Sequence, residues 1–195
     1  MKYNPDKHHR RSIRLKGYDY SQAGFYFITI CTQNRACLFG AINDGKMILN
    51  QSGKMVQNIW ENIPIFYQGI KIDQYQIMPN HFHGIINIVR TDHRVCPDEL
   101  INENSRTQKP NEDNFGQSQR IAPTRSLPNV IKQFKSLTTK RYIDGVNHNG
   151  WQPFDGKIWQ RNYYERIIRD EPELDRIRKY ILENPLKWQD DKYFM

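Results

Sequence analysis

Runs of apolar residues alternate along the chain with polar turns, and their spacing predicts several short strands. Residues 24–32 are rich in β-branched and aromatic side chains, which favours a central strand. Residues 43–46 read Asn-Asp-Gly-Lys, which is typical of a hairpin turn. Pro79 and Asn80 are placed to bend the chain just before two histidines. The predicted strands cover residues 24–32, 37–42, 47–49, 70–89 (as a strand pair) and 158–168.

Three other segments repeat apolar residues at the three- and four-residue spacing of amphipathic helices. Pro64 is expected to close the first helix and Gly145 to end the second. In the third, Asp170 is a natural N-cap and Glu173 follows three residues later. The predicted helices cover residues 52–62, 127–146 and 170–184.

These elements alternate through short links, without the regular parallel units of a doubly wound fold. The sequence therefore predicts an α+β protein with a ferredoxin-like (RRM-like) antiparallel sheet and helices on one face. A length of 195 residues suits one domain. We assign residues 1–23 to a basic N-terminal arm, 24–188 to the folded domain and 189–195 to a tail. Residues from about 91 to 125 are strongly polar, which predicts a flexible insert.

The composition narrows the class of partner. A formal net charge of +8 indicates an anionic partner such as a nucleic acid. No apolar run is long enough to cross a membrane, and the N-terminal residues lack the apolar core of a secretory signal. Three scattered cysteines are typical of reduced thiols rather than of a disulfide framework. We therefore expect a cytoplasmic protein that does not act at a membrane.

Basic side chains are concentrated in two places where they could contact DNA. The N-terminal arm is followed by Tyr18 and Tyr20, a combination that suits phosphate pairing and base stacking. The predicted helix over residues 127–146 carries further basic residues outside its apolar stripe, although such faces can also be simply solvated. The candidate DNA-binding residues are Arg10, Arg11, Arg14, Lys16, Lys132, Lys135, Lys140 and Arg141.

Two histidines, His81 and His83, lie two positions apart in an apolar, β-branched run. Alternation along a strand places both imidazoles on one face and Phe82 on the other. Two neutral imidazoles on one face can share a divalent ion. The same spacing also occurs where two histidines are merely half-exposed on a polar face, so the pattern alone leaves both interpretations open.

The last predicted helix presents Tyr180 and Asn184 one turn apart. The buried stripe of this helix contains Leu174, Ile177 and Ile181, and the tyrosine and asparagine fall together on its flank. Pro185 disfavours helical geometry at the preceding residue, so the helix is expected to end near Asn184.

Three motifs together resemble a known family. Residues 78–86 read Met-Pro-Asn-His-Phe-His-Gly-Ile-Ile, residues 159–164 read Trp-Gln-Arg-Asn-Tyr-Tyr, and residues 180–185 read Tyr-Ile-Leu-Glu-Asn-Pro. They resemble the single-tyrosine HUH transposases, and the closest similarity is to the REP-associated branch. The resemblance runs over most of the chain except the polar insert.

The resemblance implies roles for four residues and a class of substrate. His81 and His83 correspond to the metal pair, Asn184 to the third ligand and Tyr180 to the nucleophile. The metal implied is Mg²⁺ or Mn²⁺. The activity implied is cleavage and rejoining of single-stranded DNA near REP-like hairpins, by transesterification through a 5′-phosphotyrosine.

Several alternatives stay open at this point. Tyr163 and Tyr164 compete with Tyr180 for the role of nucleophile. A ferredoxin-like sheet could bind RNA or DNA without cutting it, and a metal-dependent nuclease would use water in place of the tyrosine. A domesticated transposase would keep the chemistry without mobilising an element, and either a monomer or a homodimer that exchanges the tyrosine helix is compatible with the sequence.

Overall fold

A computed structural model describes Leu15, residues 17–89 and residues 126–194. Arg10, Arg11, Arg14 and Lys16 lie outside the described residues, as does almost all of the predicted insert.

A four-stranded antiparallel sheet forms the centre of the fold. Its strands are β1 (Gly24–Cys31), β4 (Ile70–Ile77), β5 (His81–Ile88) and β6 (Tyr164–Ile168), in the order β4-β5-β1-β6. A separate hairpin, β2 (Gly40–Asn43) and β3 (Lys46–Leu49), follows β1. Asp44 and Gly45 at its tip have φ angles of 49° and 68°, as the predicted two-residue turn requires. This α+β, ferredoxin-like arrangement confirms the predicted fold class.

Four α-helices complete the described fold. They are α1 (Gln51–Glu61), α2 (Ile63–Phe66), α3 (Leu127–Asn149) and α4 (Glu171–Glu183), and a 3₁₀ segment (Pro185–Asp190) follows α4. Pro64 lies just beyond α1, as expected, but it belongs to the first turn of the short α2, where no intrahelical donor is needed.

The sheet buries both of its faces, because alternate residues of each strand enter two separate apolar clusters. The larger cluster joins Ile28 and Phe82 of the sheet to Trp60 of α1 and Phe134 of α3. The smaller cluster joins Phe27 and other residues of the opposite face to α4 through Leu174, Ile177 and Ile181. Helices α1 and α3 thus lie on one face of the sheet, as predicted. Helix α4 lies on the opposite face, which carries the odd-numbered residues of β5.

Two predicted boundaries are wrong, and packing explains both. Gly145 does not end α3: it lies within the helix, where a Cβ would come within 2.2 Å of the Trp151 ring, and Gly150 at φ 65° ends the helix. The last strand is shorter than predicted. The carbonyls of residues 160–162 accept hydrogen bonds from Lys135 Nζ instead of from a neighbouring strand, and regular pairing begins only at Tyr164.

Candidate metal and nucleophile site

The two histidines of β5 lie side by side on the face that α4 covers. His81 and His83 pair with Cys31 and Thr29 of β1, and both imidazoles are buried, with exposed fractions of 0% and 1%. Their Nε2 atoms are 3.0 Å apart. The strand alternation that predicted a shared face thus brings the two ring nitrogens to a common point.

The partner of His81 fixes its tautomer. Asn80 donates a hydrogen bond from Nδ2 to the Tyr193 carbonyl at 2.8 Å, so its Oδ1 faces His81 Nδ1, also at 2.8 Å. An amide oxygen can only accept, hence Nδ1 of His81 carries the proton and its Nε2 keeps a free lone pair.

The partner of His83 allows either tautomer. His83 Nδ1 lies 2.8 Å from the Thr29 hydroxyl, which can donate or accept. In one tautomer Nε2–H of His83 donates to His81; in the other, Nδ1–H donates to Thr29 and Nε2 is free. Metal binding through Nε2 requires the tautomer in which Nε2 is free. The change to that tautomer keeps the hydrogen bond between His83 and Thr29.

Burial keeps both imidazoles neutral at neutral pH. Burial lowers the pKa of His81 to about 4, an effect that the negative charge of Asp191 partly offsets. Burial, and then the neighbouring His81, lower the pKa of His83 well below its usual value. Neutral imidazoles are the form that binds metal ions.

Helix α4 positions the predicted nucleophile over this pair. Asp170 caps the helix by accepting from the Glu173 amide at 2.8 Å, as predicted. Arg178 makes a two-pronged ion pair with Asp73, at 2.9 and 2.7 Å, which ties the helix to β4 where one extra residue bulges from the strand.

Tyr180 lies next to the histidines and opens to solvent. Its hydroxyl is 3.5 Å from His83 Nε2, and its side chain is 41% exposed. Its ring meets Phe27 edge-on at 6.1 Å. Burial of its inner part raises the pKa of Tyr180, so the phenol is protonated at neutral pH and a nearby cation is needed to favour its ionised form.

Asn184 and Asp191 complete a set of four metal-ligand groups. Asn184 is buried and donates from Nδ2 to Asp191 at 3.0 Å, while its Oδ1 has no hydrogen-bond partner among the described residues. One ligand atom from each of His81, His83 and Asp191 lies within 4.8 Å of the others. Two imidazoles with one carboxylate and one amide oxygen suit a divalent cation such as Mn²⁺ or Mg²⁺. The donor set therefore fits the metal that the family resemblance implies.

A cleft of about 450 Å³ opens in front of these groups. Tyr180, Asn184 and Asp191 line it together with Tyr164, Lys187 and Lys192. The cleft joins the potential metal ligands to aromatic rings and to the exposed Lys192.

The remaining candidate DNA-binding residues and tyrosines differ in their position relative to the cleft. Lys132, Lys140 and Arg141 are exposed on α3, away from the cleft. Lys135 donates to the backbone carbonyls of residues 160–162, which gives it a structural contact. Tyr163 is 9% exposed and packs in the larger cluster, whereas Tyr164 lines the cleft.

Sequence reasoning did not identify Thr29, Asn80 or Asp191 as part of the site. Asn80 directly precedes His81, and this adjacency could have identified it as a hydrogen-bond partner of that histidine. Thr29 and Asp191 carry no such signal, because the sheet register and the return of the chain after α4 bring them to the histidines.

Comparison with known proteins agrees with the fold. The sheet and helices resemble those of a REP-associated tyrosine transposase solved with a REP hairpin, with 16% identity, a TM-score of 0.52, and coverage of 94% of this chain and 77% of that one. A Haemophilus influenzae protein named "Putative REP-associated tyrosine transposase" is 26% identical over 174 residues, which are 87% of this chain and 74% of that protein. No family model matches the chain.

A second Haemophilus influenzae protein, of uncharacterised function, is 44% identical over 194 residues, which cover 100% of this chain and 98% of that protein. The chain is thus similar in fold to one REP-associated tyrosine transposase and distantly similar in sequence to a protein that carries that name. Within the described residues, no helix is both long and apolar enough to cross a membrane.

Proposed function

We propose that this protein is a transposase that nicks and rejoins single-stranded DNA beside hairpins by metal-dependent transesterification, with Tyr180 as the nucleophile. The observation that carries the proposal is the position of the Tyr180 hydroxyl, 3.5 Å from His83 Nε2 and in a cleft that Asn184 and Asp191 also line. A nucleophile that adjoins a cluster of metal-ligand groups is the arrangement that covalent phosphoryl transfer needs.

His81 and His83 would hold the metal through Nε2, Asn184 through Oδ1 and Asp191 through its carboxylate. A bound Mg²⁺ or Mn²⁺ supplies positive charge to the non-bridging oxygens of the scissile phosphate. The protein's own part is to keep both imidazoles neutral, to orient them through Asn80 and Thr29, and to hold Tyr180 beside them.

In the cleavage step the Tyr180 oxygen forms a bond to the scissile phosphorus, and the bond from phosphorus to the upstream 3′ oxygen breaks. The phenolic proton passes to solvent, and the leaving oxygen takes up a proton to become a 3′-OH. The downstream 5′ end stays on Tyr180 as a phosphodiester. A 3′-OH can attack this linkage in the reverse sense, so strands rejoin without ATP.

Single-stranded DNA suits this cleft because a phosphate of an unpaired strand can reach Tyr180 without distortion of a duplex. The hairpin preference is inferred from the REP hairpin named in the structure of the transposase relative. The net charge of +8 favours binding of DNA, and the proposed location of the protein is the cytoplasm.

The test is a denaturing gel of the protein mixed with end-labelled, hairpin-bearing single strands. We expect a protease-sensitive, slowly migrating adduct that requires Mg²⁺ or Mn²⁺ and is lost in Tyr180→Phe. The matched variants Tyr163→Phe and Tyr164→Phe are expected to keep the adduct. Cleavage without an adduct would support a water-using nuclease, and tight binding without cleavage would support a non-catalytic nucleic-acid-binding module.

A further inference from the structure

Tyr164 is an exposed aromatic ring on the face of the sheet that carries the candidate site. It is the first residue of β6 and pairs directly with Thr29, so its side chain shares the face of the histidines. Its ring is nevertheless 44% exposed. A large aromatic ring that opens into a cleft offers a flat surface to a planar ligand.

The ring of Phe27 links Tyr164 to Tyr180. Phe27 meets Tyr164 at 6.1 Å with an interplanar angle of 67°, and it meets Tyr180 at the same distance with an angle of 88°. Both tyrosines line the same cleft and stay partly exposed there. A ligand on Tyr164 would therefore lie beside the phosphate that Tyr180 attacks.

Lys192 adds a positive charge at the same place. Its ammonium group is 5.8 Å from the centre of the Tyr164 ring and 4.8 Å from that of Tyr193. The lysine is exposed and lines the cleft. An aromatic face next to a solvated ammonium group matches the two parts of a nucleotide, a base and a phosphate.

We propose that Tyr164 and Lys192 form a nucleotide subsite, in which a base adjacent to the scissile phosphate stacks on the Tyr164 ring and its own phosphate pairs with Lys192. The proposal rests on the proposed function, since it places a nucleotide of the same single-stranded substrate. Tyr164 is a positioning residue and forms no covalent bond. Stacking of this kind tolerates any base, because every base has a flat aromatic face.

Two variants of the full chain separate stacking from packing. Tyr164→Phe keeps the ring, whereas Tyr164→Leu removes it and keeps an apolar side chain. For formation of the covalent adduct we expect Tyr164→Leu to raise KM about tenfold with little change in kcat, and Tyr164→Phe to restore the KM of the original protein. Phe66→Leu is the matched control, because Phe66 is 51% exposed on α2 and lies outside the cleft.

An abasic nucleotide provides the complementary test. Removal of the base next to the scissile phosphate should weaken binding to the original protein about as much as Tyr164→Leu does, and the two changes together should cost no more than one of them. Lys192→Gln should lower the dependence of binding on salt concentration by about one released counterion. Unchanged KM in Tyr164→Leu, or fully additive effects of the variant and the abasic nucleotide, would overturn the subsite.

Binding measurements keep this test apart from the proposed chemistry. In a Tyr180→Phe background, we place a fluorescent 2-aminopurine at the same nucleotide. Its fluorescence should be quenched when position 164 is Tyr or carries Tyr164→Phe, and should not be quenched in Tyr164→Leu. This quenching would support the subsite whether or not an adduct forms. Absence of the adduct with the original protein would contradict only the proposed transesterification. Loss of the adduct in Tyr164→Phe, with binding intact, would make Tyr164 the nucleophile and overturn the positioning role.

Discussion

Asn184 and Asp191 are joined by a hydrogen bond that orients the Asn184 amide. The amide nitrogen of Asn184 donates to Asp191 Oδ2 at 3.0 Å, which turns the amide oxygen away into a buried position without a partner in the described part of the chain. Asp191, which follows α4, thus leaves the oxygen rather than the nitrogen of the Asn184 amide available for a ligand. Ligand orientation by a hydrogen-bonded neighbour is a general feature of metal sites.

The first prediction concerns Asp191→Asn. The change removes a negative charge from the His81, His83 and Asp191 group and removes the strong acceptor that orients Asn184. We expect affinity for Mn²⁺ to fall about 10- to 100-fold. Titration followed by electron paramagnetic resonance measures free Mn²⁺ directly. Asp190→Asn is the control, since Asp190 lines the cleft without belonging to the group, and equal affinity in both variants would contradict the role of Asp191.

The second prediction concerns the tautomer of His81. Asn80→Ala removes the acceptor on Nδ1, whereas Asn80→Asp keeps an acceptor there and loses the donor to the Tyr193 carbonyl. Nitrogen-15 NMR of the histidine rings should show the Nδ1–H tautomer for His81 in the original protein and in Asn80→Asp. A mixture of tautomers is expected in Asn80→Ala. If all three proteins give the same ring spectrum, Asn80 does not select the tautomer.

The third prediction concerns metal and stability. A ligand that binds only the folded state stabilises it by about 2.7 kcal/mol at a concentration 100 times its Kd. For a chain of this size that corresponds to a rise in Tm of about 5–10 °C. We expect Mn²⁺ to raise the Tm, EDTA to reverse the rise, and His83→Ala to abolish it. The exposed His148→Ala on α3 should behave like the original protein; a similar Mn²⁺ response in His83→Ala would argue against this site.

The fourth prediction concerns the ion pair that anchors α4. Hydrogen bonds from Arg178 lower the pKa of Asp73 below its usual value. Since the folded-state pKa is the lower one, the pair stabilises the protein above the unfolded pKa, about 3.9, and the contribution is lost as the pH falls through the folded value. Both side chains are a third exposed or less, so we expect Asp73→Asn to cost about 1 kcal/mol at pH 7.

Urea denaturation at pH 7 and at pH 3 measures this difference, which should shrink at the lower pH. Arg176→Gln is a suitable control, because Arg176 is 68% exposed and its contact with Glu173 is long, at 3.6 Å. An Asp73→Asn cost that does not change with pH would show that packing, rather than the charge, accounts for the effect.

Local periodicity explains how much of this arrangement could be predicted from the sequence. The two-residue period of a strand placed His81 and His83 on one face, and the helical period placed Tyr180 and Asn184 one turn apart. The N-cap at Asp170 also depends on neighbours in the sequence. The α+β, antiparallel class followed from the order of these elements.

The remaining features depend on contacts between distant parts of the chain. Only the sheet register brings Thr29 to His83, and only the packing of α4 on its own face of the sheet brings Arg178 to Asp73. Gly145 illustrates the same limit, because an isolated glycine suggests the end of a helix until the Trp151 ring that fills its place is known. Such contacts leave no periodic pattern in the sequence.

The wide separation of the site residues along the chain has a consequence for synthesis. Tyr180 lies 97 residues after His83, and Tyr193, whose carbonyl holds Asn80, lies 113 residues after that asparagine. A nascent chain on the ribosome can therefore display its histidine strand long before any nucleophile has been translated. Under the proposed chemistry, the incomplete chain cannot cleave DNA until α4 has been synthesised and has packed against the sheet.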